Sequence, residues 1–163
     1  MRTVYAVALL ALAACSTPPI KNAADTTPPP RVDLPPYRAV ELDALPADEV
    51  LWGGMVIEVR NRADVSEIEV LAYPLDRKQR PMLKAPTEGR FIAQLPGYVE
   101  RFDYPEGRFV TLRGHVRGRR EALIDEKLYL YPVVESREIH LWPRGFQNSG
   151  PRFSIGIGVG ISR

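Results

Sequence analysis

The sequence predicts an all-β protein, a small Greek-key barrel of five to six strands, and three observations predict it. From Val50 onward the apolar residues recur with a period of two, the repeat of a half-buried strand. The runs are short and separated by turn chemistry such as Asn61-Arg62-Ala63-Asp64. In the clearest run, Gly114 and Gly118 share a face with Val110, Leu112 and Val116, as tight barrel curvature requires where a side chain would collide with the opposite wall.

Each element follows in order. In Gly54 to Asn61, Met55, Ile57 and Val59 alternate with Val56, Glu58 and Arg60. The next strand sets Ile68, Val70 and Ala72 on one face against Glu67, Glu69 and Leu71, and forms an antiparallel hairpin with the first. Pro74 ends it, and Asp76 to Gly89 is a loop rich in charge and proline. Arg90 to Leu95 is a short third strand, and Gly97 to Gly107 an irregular or briefly helical connector. Phe109 to Arg119 is the fourth. Lys127 to Glu135 and Arg137 to Trp142 supply the rest, with Ile139 and Leu141 inward; Tyr129 and Tyr131 are either core or surface platform. This order, a hairpin, a third strand, a connector and a final group, matches an oligonucleotide/oligosaccharide-binding (OB-like) barrel better than a sandwich. An eight-stranded up-and-down or lipocalin-like cup is the rival, for which the region is short.

The barrel region, 49–144, follows two segments of different chemistry. Residues 1–14 read as a signal peptide: Met1-Arg2 is basic, Val4 to Ala14 is apolar, and Leu12-Ala13-Ala14 precede Cys15. The apolar run falls short of the roughly 20 residues a membrane span needs. Cys15 is the only cysteine, placed where a bacterial lipoprotein signal is cut and lipidated. The expected modification is a thioether diacylglycerol with an amide-linked acyl chain, no other cofactor being implied. Several chains give lasting attachment where one holds reversibly. Ser16 rather than Asp follows, which by resemblance to lipoprotein sorting signals implies the outer membrane, with the domain expected on its periplasmic face. With its lone thiol acylated, the domain has no internal disulfide. Residues 15–48 carry prolines 18, 19, 28, 29, 30, 35, 36 and 46 and read as a tether, with one helical turn within Tyr37 to Leu45.

The chain's formal net charge is +2, and removing residues 1–14 takes away one arginine, which argues against a nucleic-acid partner. No serine has a glycine-flanked nucleophile pattern and no glycine-rich loop opens a helix, so a non-enzymatic protein is expected. His115 and His140 fall at outward positions without metal-ligand spacing, and Glu67 with Glu69 reads as a charged outer face beside Arg60. The one surface that suggests a ligand is the stripe Arg113, His115, Arg117 and Arg119, with Arg120 beside it. It suits an anionic envelope polymer or lipid, or else is a solvated face guarding a strand edge. The tail, residues 145–163, alternates Phe153, Ile155, Ile157, Val159 and Ile161 with Ser154 and three glycines, and suits pairing with the barrel, another copy or the membrane surface.

Several blocks, in this order, resemble the Slp family of starvation-inducible outer-membrane lipoproteins of Gram-negative bacteria. They are Val50 to Gly54, Ile57 to Asn61, Glu69 to Asp76, Gly89 to Ala93, Gly107 to Gly114, Tyr131 to Val134 and His140 to Pro143. The resemblance implies an exported lipoprotein at the outer membrane, with a structural or interaction role linked to starvation or stationary phase. The expected partners are the bilayer and an envelope protein or glycan.

Overall fold

The computed structural model describes residues 29–148, so the signal peptide, Cys15 and most of the tail lie outside the described residues. The chain is all-β. One helical turn, α1 (Pro36–Ala39), precedes five strands: β1 (Val50–Asn61), β2 (Val65–Ala72), β3 (Arg90–Pro96), β4 (Phe109–Ile124) and β5 (Lys127–Leu141). They close into a barrel in the order β1-β2-β3-β5-β4, with β4 returning to β1. All pairings are antiparallel except β3 with β5, which is parallel and runs through Ile92↔Val133, Ala93↔Val134 and Gln94↔Glu135. A parallel pair and a β1–β4 contact are incompatible with an up-and-down barrel, in which each strand pairs with its chain neighbours.

Alternation explains most of the interior. Ile68, Val70 and Ala72 of β2, and Val110, Leu112 and Val116 of β4, are buried as their spacing requires. β1 departs from its expected face: Val50, Trp52 and Val56 are inward, whereas Met55 and Ile57 are only half-buried. A β-bulge between Val56 and Glu58 adds a residue to the strand, and inward parity resumes at Val59. A second irregularity merges the two last predicted strands into β5. Arg113 pairs with Glu138 and Gly114 with Ser136, leaving Arg137 as the extra residue. The Ser136 hydroxyl secures this bulge, accepting from Glu138 N–H (3.3 Å) and donating to Arg113 O (2.7 Å) or Glu138 O (3.0 Å).

Both mouths of the barrel are plugged. At one, residues from the expected tether are docked: Arg31 bridges to Val50, and Leu34 and Ala39 join the core cluster. The Trp52 indole N–H donates to Leu34 O (2.7 Å), and its ring packs on Phe91 with centroids 5.3 Å apart. From Arg31 to Ala39 the proline-rich stretch is therefore part of the domain, because its few apolar residues find a mouth to fill. At the other mouth, Val99 and Tyr104 of the connector pack on the core. Ser66, fully buried, holds that connector: its hydroxyl accepts from Val99 N–H (2.9 Å) and faces Gly97 O (2.8 Å) and Asn61 Oδ1 (2.6 Å).

The glycines separate into two groups. A Cβ on Gly54 would lie 2.0 Å from Leu71 O, and one on Gly114 2.2 Å from Glu135 O, so both collide with a neighbouring strand rather than an opposite wall. Gly118 has open space around it, which corrects the expectation that it too serves close packing. Gly54→Ala is expected to lower unfolding stability by about 2–3 kcal/mol, and Gly118→Ala to change it by less than about 0.5 kcal/mol, as read from urea denaturation.

Candidate interaction surface

The arginine stripe lies on the outward face of β4, but its charge is largely spent within the molecule. Arg113 forms an ion pair with Glu49 and is nearly buried. His115 Nδ1 stands 3.8 Å from the other oxygen of that carboxylate. Arg117 meets Glu135 at 3.0 Å, both exposed, and Arg119 donates to Leu42 O. Arg113, His115, Arg117, Glu49 and Glu135, together with Arg137 and Glu138, line a groove of about 500 Å³ in which three arginines face three glutamates. Such a groove offers no large positive field, and an anion entering it competes with carboxylates already in place. The structure thus brings Arg113, His115 and Arg117 together and leaves Arg119 outside the groove lining.

The more consequential charges are those read as a solvated outer face. Glu67 and Glu69 are buried, at 5% and 8% exposure, because the end of the β4–β5 hairpin folds over the outside of β2 and β3. Arg120, on β4, which does not pair with β2, reaches Glu67 with two hydrogen bonds of 2.7 and 2.9 Å. Gln94 and Arg62 also donate to Glu67, at 3.1 and 3.4 Å. Glu69 accepts from Arg90 (2.8 Å) and from the Tyr131 hydroxyl (3.0 Å). Beneath this network Ile92, Tyr131 and Val133 form a second apolar cluster, with Tyr129, Ala122 and Ile124 against it. Tyr131 is therefore buried outside the barrel's interior, an arrangement that alternation alone does not separate from core. Nothing in the spacing of Glu67 and Arg120 announces their meeting, since it depends on how far the hairpin bends.

The electrostatics follow from these contacts. The Arg120 guanidinium, helped by Gln94 and Arg62, holds the Glu67 carboxyl down to about 2 against the cost of its burial. Burial first, and the Glu69 carboxylate second, push the Tyr131 hydroxyl up to about 12. Burial also lowers His140, whose ring packs edge-on against Trp142 at 4.5 Å, so it is less solvated than its outward position suggests. Among the described residues no three His, Cys, Asp or Glu side chains converge to hold a metal ion.

A family model described as "Outer membrane lipoprotein Slp family" matches residues 12–155. An uncharacterised lipoprotein of Escherichia coli, YeaY, is 30% identical over 136 residues, covering 82% of this chain and 67% of the relative. Outer membrane protein Slp of the same organism is 30% identical over 91 residues, with 56% and 48% covered. An uncharacterised protein of Haemophilus influenzae is 31% identical over 94 residues, with 57% and 51% covered. Against the last two, the match spans about half of the relative's length. No solved structure matches.

The network's pH dependence has a definite sign. The Glu67 pKa is depressed from 4.5 to about 2 on folding, so its contribution is complete above about 4.5 and is lost as pH falls toward 2. Glu67→Gln is expected to flatten the acid-side loss of stability between pH 5 and 2 in urea denaturation. At neutral pH, Arg120→Ala is expected to cost about 2 kcal/mol or more, and Arg117→Ala less than about 1 kcal/mol.

Proposed function

The chain belongs to the outer membrane lipoprotein Slp family, and from that premise we propose a non-enzymatic, surface-mediated role in the cell envelope. In this reading Cys15 carries the diacylglycerol and the acyl chain, the domain stands on the periplasmic face, and its partner is another envelope component. No helix among the described residues is long and apolar enough to cross a membrane; attachment in this reading is through the acyl chains on Cys15.

The barrel is OB-like in this reading. The order β1-β2-β3-β5-β4 and the parallel β3–β5 seam support that assignment. OB-folds commonly bind polymers across the outer face of strands 2 and 3, beside the loop joining strands 4 and 5. Here that loop region is the β4–β5 hairpin, and its Arg120 and Tyr131 already occupy the β2–β3 face through Glu67 and Glu69. This self-occupied face is the observation that carries an interaction role over polymer binding there. An anion-binding face at Arg113, His115, Arg117 and Arg119 has less support, because Glu49 and Glu135 pair with its arginines. The bilayer is the first partner; an oligomer through the tail rests on residues outside those described.

Cys15→Ala is expected to move the protein out of the outer-membrane fraction and to abolish the mass increment of the acyl groups, with the barrel's melting unchanged. Retention at the outer membrane in that variant, or an unmodified thiol in the wild-type protein, overturns the anchoring.

A further inference from the structure

The large apolar side chains that stand exposed are not spread evenly over the described residues. Most lie in two stretches, Val32, Tyr37, Leu42 and Leu45 before β1, and Leu123, Leu128 and Leu130 in the β4–β5 hairpin. In the hairpin Leu123 pairs directly with Leu128, Glu121 with Leu130 and Arg119 with Pro132. Alternation sets these residues on one face, because Arg120, Ala122, Tyr129 and Tyr131 turn the other way, toward Ile92 and Glu67. Leu123 and Leu128 are 68% and 66% exposed, and Leu130 follows them along the strand at 37%. Three leucines grouped on the bare face of a projecting hairpin form an apolar patch of the kind that marks a docking surface.

The two stretches adjoin. Arg119, on the leucine face, donates to Leu42 O. Tyr37 N–H donates to Glu88 O (3.3 Å), and the Tyr129 hydroxyl accepts from Arg90 N–H (2.8 Å) at the start of β3. The hairpin therefore stands beside the mouth that Leu34 fills, where the chain coming from Cys15 joins the fold at Arg31. Tyr98 and Phe102, the exposed aromatics of the connector, belong to the opposite mouth.

We propose that the face formed by Leu123, Leu128 and Leu130 rests in the interface of the bilayer that holds the acyl chains, with Leu42 beside it. This rests on the reading of Cys15 as the anchor. Lipid on Cys15 ties this end of the barrel to the leaflet, since only residues 16–30 intervene before the bridge to Val50. The charges around the leucines carry both signs, Arg119 and Lys127 against Glu121, Asp125 and Glu126. With no cationic excess, burial of leucine rather than attraction to anionic headgroups drives the contact. The acyl chains supply the affinity, and the hairpin fixes which way the domain faces.

Electron paramagnetic resonance tests the orientation. The acylated full chain is reconstituted in phosphatidylethanolamine–phosphatidylcholine vesicles with a nitroxide at Leu128→Cys or, for the opposite mouth, Phe102→Cys. The ratio of oxygen to nickel-chelate accessibility is expected to be at least severalfold higher at Leu128→Cys, and to stay so in high salt. Adding Leu123→Asp, an exposed substitution whose folding circular dichroism verifies, is expected to bring the Leu128→Cys ratio down toward that of Phe102→Cys. Equal ratios at the two positions, in protein that floats with the vesicles, overturn the proposal and leave the anchor standing. Failure to float overturns the anchor and the proposal together. Dipolar broadening between Leu128→Cys labels overturns the proposal too, since the leucines then cover a second copy instead of lipid.

Discussion

Three residue pairs between β3 and β5 close the barrel, and most of the molecule's other features follow from where that seam lies. Closure removes the free edges that an open five-stranded sheet presents to other chains. Because β3 meets β5 only at Val133 to Glu135, the stretch of β5 before it pairs with β4 alone. That stretch and its partner form an arm beyond the barrel wall. Its inward-turned face needs cover, and Ile92 on the outside of β3 supplies it. The bulges in β1 and in the β4–β5 ladder give the bending that closure demands of a small barrel.

The arm also organises the charges. Two glutamates on the outside of β2 are removed from water by it, and each is met by cations and neutral donors. Such a buried network is a matter of specificity as much as stability, since an unpaired member is costly while an apolar replacement often is not. It ties the far end of the hairpin to one position on the wall. At the groove beside β4, Arg117 and Glu135 instead form an exposed pair, which contributes little.

Much of the barrel was legible because period-two alternation reports directly on which face is buried. It served well for β2 and β4, whose inward residues run without interruption through the barrel. It failed for Met55 and Ile57, because a bulge changes parity and leaves no mark in the pattern of apolar residues. It failed again for Glu67 and Glu69, whose burial depends on an arm folding back from some fifty residues along the chain. The proline-rich stretch was read from composition, which correctly excludes long helix but says nothing about Leu34 finding a mouth to fill. Cys15 was conspicuous through its context and its solitude.

The docked segment at the barrel mouth sets a geometric limit. With Arg31 bridged to Val50, only the residues between 15 and 31 separate the proposed acylated cysteine from a rigid body. Fully extended, that length of chain reaches about 55 Å, and less in any other conformation. The standoff of the domain from the leaflet is therefore capped, and every tug on the lipid is delivered to the core at Leu34 and Trp52 rather than dissipated along a longer leash.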